Sequence, residues 1–155
     1  MMNTYVEHLD KNYENKSCLY TRKRRKAKEA KANNLSNRVP GGGLITSVED
    51  LIKFGNALLD NKLIKAETFD LMRENQTPDK VGNPYGLGAV LYGQAENPGA
   101  AIGHAGAQTA SSAQIMIIPS KKTVIVALAN TSRFWEKVIG FTVYLIGFAD
   151  AKKDK

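Results

Sequence analysis

Apolar positions follow two different periods along the chain, and the change falls near residue 85. Before it, Val48, Leu51, Ile52, Gly55, Leu58 and Leu59 recur at the spacing of one helix face. Thr46 with Glu49, or Ser47 with Asp50 one residue on, offers a capping box at its start. The polar "DNK" at 60–62 ends it. A second helix is predicted over 66–74, with Ala66, Phe69 and Met72 inward. Beyond residue 85 the pattern is that of strands. "YGLGAVLYG" reads as a glycine-bearing strand, "AENPG" as a turn, and "AAIGHAG" as a second short strand. "SSAQIMIIP" and "KTVIVALAN" read as two more, joined by a tight connection at 120–122. Both runs are almost continuously apolar, as in central strands covered on both faces. A last helix over about 134–150 is apolar on much of its circumference and is expected to lie against the sheet.

Residues 1–38 lack such a pattern. Tyr5, Tyr13, Leu19 and Tyr20 are scattered without a period, and a short helix across 26–32 is the element expected there. "VPGGGL" at 39–44 is a strong break, because consecutive glycines cost backbone entropy in any regular element. The chain is therefore read as a basic polar leader, 1–38, and a folded part, 39–155. Its fold class is α+β, an antiparallel sheet of three to four strands with flanking helices.

Composition changes this picture little. The chain has 155 residues, 43% of them hydrophobic, enough for one core. The net charge of +7 is local: residues 22–31, "RKRRKAKEAK", hold seven bases and one acid and so contribute +6. That run has no interleaved aromatics, which argues against sequence-specific nucleic-acid readout. A single cysteine, Cys18, excludes an internal disulfide and a thiolate zinc cluster. No signal peptide is visible at the start, so no compartment is assigned. The longest apolar run, 138–149, falls short of the roughly 20 residues a membrane-spanning helix needs.

Candidate chemistry sits at "GHAGA". Gly103 and Gly106 bracket His104, with only Ala105 and Ala107 beside them. A strand so poor in side-chain atoms is open to close approach by a ligand. An imidazole there can donate to, or take a proton from, a bound acyl group, and the following backbone N–H groups can bind an oxyanion. The plainer reading is a solvated histidine at a strand end. The only other histidine, His8, has no partner pattern around it, so neither a metal nor a cofactor is expected. Asp50 reads as a cap residue, and Ser111 and Ser112 as strand-entry residues.

Taken in order, "VPGGGLITSVEDLIKFGNALLD", "YGLGAVLYG" and "GHAGAQTASSAQIMIIPSKKTVIVALAN" resemble the C-terminal portion of the β-lactamase-related serine hydrolases. These include class C β-lactamases, penicillin-binding proteins and esterases. The resemblance covers residues 39–131 and implies part of a β-lactamase/transpeptidase-like fold. His104, Ala105 and Gly106 match the family's His-x-Gly motif. By that resemblance His104 orients the substrate carbonyl region or assists proton movement, and Gly106 leaves room for substrate. The N–H of Ala107 is one oxyanion donor, the other being that of the nucleophilic serine. The departures are as informative. None of the seven serines has a lysine three residues on, so the family's Ser-x-x-Lys motif is missing. "YEN" at 13–15 has the letters of the Tyr-x-Asn motif but lies too close to the glycine turn and reads as chance.

The expectation is thus a C-terminal portion of a serine hydrolase, inactive alone. It would act through an acyl-enzyme on a small ester, peptide or β-lactam substrate. Its partner would be the missing N-terminal portion of the same fold, or a second copy of the chain. Two alternatives stand beside it: a non-catalytic interaction module derived from this fold, and an electrostatic nucleic-acid binder acting through residues 22–31.

Overall fold

The structure, a computed structural model, describes residues 1–24, 26–31, 33–77, 84–92 and 100–132. The expected last helix, 134–150, and the "AENPG" turn lie outside the described residues apart from Gly99's successor onward. The elements are β1 (Tyr5–Val6), β2 (Tyr20–Lys23), β3 (Lys26–Glu29), β4 (Leu44–Ile45), α1 (Val48–Leu59), α2 (Ala66–Met72), β5 (Val90–Tyr92), β6 (Ala101–Gln108), β7 (Ser111–Ile118) and β8 (Thr123–Ala129). The main sheet has the order β5-β6-β7-β8, a meander in sequence order. The expected α+β class, with antiparallel strands and helices, is the observed one. The chain divides into two compact units: Met1–Thr4, Thr46–His104 and Ile115–Val126 in the first, Tyr5–Ile45, Ala105–Gln114 and Ala127–Lys155 in the second.

In the first unit the start of α1 is set by Ser47, whose hydroxyl accepts the Asp50 N–H at 3.2 Å. Thr46, the other capping candidate, instead shares a 2.8 Å hydrogen bond with the Thr4 hydroxyl. Leu58, Phe69, Ala89, Leu91, Ile102 and Ile117 form the buried cluster, with Leu59, Ile64, Met72, Ile115 and Val124 packed against it. Each such large side chain contributes about 1.5–3 kcal/mol on full burial. The buried stripe of α1 is centred on Leu51, Gly55 and Leu58, one position round from the predicted one. Val48 and Ile52 are left exposed on its rim, and Ala66 of α2 is exposed as well. Gly55 explains the rotation: a Cβ there would lie 2.6 Å from Val124 Cγ1, so the helix meets β8 along its glycine.

"YGLGAVLYG" is a tight hairpin and not one strand. Tyr85 bridges to Val90 around a Leu87–Gly88 turn, Gly88 having φ +74°. The second arm, β5, pairs antiparallel with β6 through Val90–Gly103, Leu91–Ile102 and Tyr92–Ala101. Two residues, Thr109 and Ala110, link β6 to β7, a connection short enough to force antiparallel pairing. A 3-10 turn over Pro119–Lys121, closed by Lys122 at φ +46°, links β7 to β8 where a tight connection was predicted. The two apolar strands differ from expectation in one respect. β7 buries Ser112, Gln114 and 116–118, whereas β8 stands at the end of the sheet among the described strands and is half-buried throughout.

In the second unit β1 pairs with β4, placing Tyr5 opposite Ile45 and Val6 opposite Leu44. Residues 26–29 are a strand and not the expected helix: β3 pairs antiparallel with β2, from Tyr20–Glu29 to Lys23–Lys26. So short and charged a stretch cannot nucleate a helix by itself, whereas pairing satisfies its backbone groups at once. The Tyr20 N–H donates to the Asn130 carbonyl at 2.9 Å, which ties this hairpin to the chain following β8.

Candidate functional site

His104 is exposed on β6, and its Nε2 lies 3.0 Å from the Tyr85 hydroxyl. The two rings meet edge to face, 5.9 Å between centroids and 81° between planes. Strand register explains the meeting. Tyr85 bridges to Val90, and Val90 pairs with Gly103, so Tyr85 stands two strand spacings, about 10 Å, from the residue before His104. Two ring-bearing side chains span that gap.

Tyr85 is held by its own backbone. Its N–H donates to Asn75 Oδ1 at 3.2 Å and Thr77 Oγ1 at 3.3 Å, and its carbonyl accepts the Gln76 N–H at 2.8 Å. Asn75 Oδ1 also accepts from the Thr77 N–H and hydroxyl, which shapes the loop into a cradle. Next in the chain, Gly86 lies against the end of α2: a Cβ there would sit 1.9 Å from the Met72 carbonyl oxygen.

The two glycines that bracket His104 serve different ends. Gly103 is buried against β7, where a Cβ would lie 2.0 Å from the Ile115 carbonyl oxygen. Gly106 faces open space, with nothing within 4 Å of a Cβ built on it. β5 pairs with β6 only as far as Gly103. In the second unit Gly106 and Ala107 are exposed and lead to Gln108, whose side-chain amide reaches the Gly41–Gly42 turn. His104, Gly106 and Ala107 thus follow one another along a single strand.

Other polar groups have structural work. Asp50 is 1% exposed at the first turn of α1. It accepts hydrogen bonds from the Met2 N–H at 3.2 Å, the Asn3 N–H at 2.8 Å and the Thr4 hydroxyl at 2.9 Å. Burial pushes its carboxyl up, but those bonds outweigh burial and hold it below the ordinary value. Burial raises the Tyr92 phenol on β5. Ser112 donates its hydroxyl to the Thr131 carbonyl, in keeping with its reading as a strand-entry residue. Tyr13, of the "YEN" letters, donates to the Val6 carbonyl and accepts the His8 N–H. Among the described residues no three metal-ligating side chains gather, and no helix is long and apolar enough to cross a membrane.

Sequence reasoning missed Tyr85 and Gln108. The signal for Tyr85 was the G-x-G that follows it, which turns the chain back within two residues. Gln108 has no local signal, because its partner is 67 positions away.

A four-stranded antiparallel meander flanked by helices, with an exposed imidazole on its second strand, places the chain in a class of α+β hydrolase folds. The profile of the Beta-lactamase family matches residues 1–142, and the chain belongs to that family. A comparison with curated protein sequences found no match. Solved structures with the same fold include a penicillin-binding protein from Bacillus halodurans, 17% identical, TM-score 0.74, over 92% of this chain and 44% of that one. The octameric penicillin-binding protein homologue from Pyrococcus abyssi is 23% identical, TM-score 0.63, over 85% of this chain and 31% of that one. A D-stereospecific amidohydrolase from Streptomyces sp. is 20% identical, TM-score 0.63, over 83% of this chain and 39% of that one. The chain spans less than half the length of each of these proteins.

Proposed function

We propose that this chain supplies the His-x-Gly strand of a serine hydrolase that cleaves an ester or amide bond through an acyl-enzyme. The observation that carries the reading is the exposed His104 imidazole on β6, followed by open space at Gly106, in a chain of this family. The attacking serine comes from a complementary N-terminal portion. Its oxygen bonds to the substrate's carbonyl carbon, and the oxyanion so formed takes the Ala107 N–H as one donor. Collapse of that intermediate breaks the bond to the leaving alcohol or amine, which departs with a proton. Water then adds to the acyl-serine and releases the acid. His104 acts on the substrate's carbonyl region, and Gly106 admits the acyl group. Ester, peptide and β-lactam substrates all fit this chemistry.

The test is complementation. The purified chain is assayed with a chromogenic ester and a chromogenic cephalosporin, alone and then co-expressed with the N-terminal portion of a related enzyme that carries Ser-x-x-Lys. No turnover alone, and turnover on complementation that His104→Ala abolishes, is the expected result. Turnover by the chain alone that disappears when one of its own serines is changed overturns the reading.

A second reading is self-association. Exposed Tyr5, Val6 and Leu44 on the β1–β4 pair favour it, as does the octameric state named for the Pyrococcus abyssi homologue. Light scattering on the purified chain decides it: a concentration-independent monomer removes this reading.

A further inference from the structure

We propose that Tyr85 locks His104 in the tautomer that carries its proton on Nδ1, so that the imidazole meets an acyl substrate as a hydrogen-bond donor and not as a base. The inference deepens the functional reading above and rests on it for the word substrate. Its physical content stands on the Tyr85–His104 contact alone.

Either atom of the 3.0 Å contact can in principle donate. A phenol, however, is a better donor than acceptor, and a neutral imidazole nitrogen is a strong acceptor. The favoured arrangement has the Tyr85 hydroxyl donating to Nε2. A neutral histidine whose Nε2 accepts must hold its proton on Nδ1. When the ring takes a second proton, it enters at Nε2 and the direction of the bond reverses, so that Nε2–H donates to the phenol oxygen. Nδ1 bears hydrogen in both charge states. The nitrogen with a lone pair is the one the phenol covers, so a proton-abstracting role is closed while a donor role persists across the titration.

The geometry that enforces this is built into the backbone. Three hydrogen bonds from Asn75, Gln76 and Thr77 fix the Tyr85 main chain. The seat of Gly86 on Met72 fixes the residue that follows. The phenol is therefore delivered to His104 by main-chain contacts and loses little conformational freedom on binding it. Tyr85 is a positioning residue: it touches the imidazole and acts through it.

The experiment is a long-range proton–nitrogen correlation spectrum of the full chain, labelled with nitrogen-15, at a pH where the imidazoles are neutral. The chain has two histidines, and His8→Gln assigns the signals. The expected pattern for His104 is that of a majority Nδ1–H tautomer. In Tyr85→Phe the majority should pass to Nε2–H, the form free imidazole side chains prefer, while the backbone spectrum away from the site stays unchanged. A merely structural tyrosine would not move this signature. An Nε2–H majority in the unsubstituted chain, or the same tautomer in both proteins, overturns the proposal. If Tyr85→Phe does not fold, the unsubstituted spectrum decides alone. The two readings fail separately. An Nδ1–H tautomer without turnover on complementation removes the hydrolase reading and leaves the lock. An Nε2–H tautomer in an active complemented enzyme does the reverse.

Discussion

Gln108 donates its side-chain amide to the Gly41 carbonyl at 2.8 Å, and its own atoms fill the space a Cβ on Gly42 would need. Such a Cβ would stand 2.7 Å from Gln108 Cγ, at a residue whose φ is +137°. Gly42→Ala is expected to destabilise the chain by about 1–3 kcal/mol, part strain and part overlap. In a Gln108→Ala background the overlap part should vanish and the strain part remain. A double-mutant cycle by urea denaturation measures the difference, and simple additivity would contradict the contact.

The glycines around His104 make opposite predictions. Gly103→Ala drives a methyl into the Ile115 carbonyl oxygen, so a loss of about 3 kcal/mol is expected, the upper end for overpacking. Gly106→Ala meets open space, and its folding free energy should stay level or rise by about 0.5–1 kcal/mol, since a strand glycine is entropically costly. Thermal melts of the two variants compare them directly. If Gly106→Ala is the less stable of the pair, the assignment of room at Gly106 is wrong.

Asp50 gives the chain an acid sensitivity of known sign. Its folded-state pKa lies below the ordinary 3.8, because the hydrogen bonds from Asn3, Thr4 and Met2 outweigh burial. Its contribution to stability is therefore full above that ordinary value and is lost as pH falls through the lower folded value. Asp50→Asn should flatten this part of the pH profile, because the amide does not titrate. At neutral pH the same variant should be less stable, since the amide carries no charge to hold the donors of residues 2–4. Denaturation midpoints of both proteins from neutrality down to about pH 2 check the slope.

Gln114 is 3% exposed on β7, and among the described residues neither its Nε2 nor its Oε1 has a hydrogen-bond partner. A buried unpaired amide costs about 1–3 kcal/mol. Gln114→Met keeps the length of the side chain and removes both polar atoms, so a gain of about 1 kcal/mol is expected. A loss measured by urea denaturation would mean that the amide is satisfied in solution.

What the sequence made legible was periodic or local. The 3.6-residue spacing of Leu51, Gly55 and Leu58 located α1, and the apolar runs located β7 and β8. Ser47 and Asp50 marked the helix start to within a residue, because a cap is a contact three positions long. His104 was legible from its lack of bulky neighbours. What failed depended on distant partners. The strand at 26–29 needed β2 to pair with, and the rotation of α1 needed Val124 to press on Gly55. Tyr85 could not be connected to His104 until the register of β5 was known, since nineteen positions separate them.

Gly86 rests on the Met72 carbonyl with no compliant side chain between them. The hairpin that carries the phenol and the carboxyl end of α2 are therefore mechanically one piece. Whatever pushes the ring aside must also tilt that last helical turn, so a fluorophore on the exposed Leu71 would report, from outside, events that take place at the imidazole.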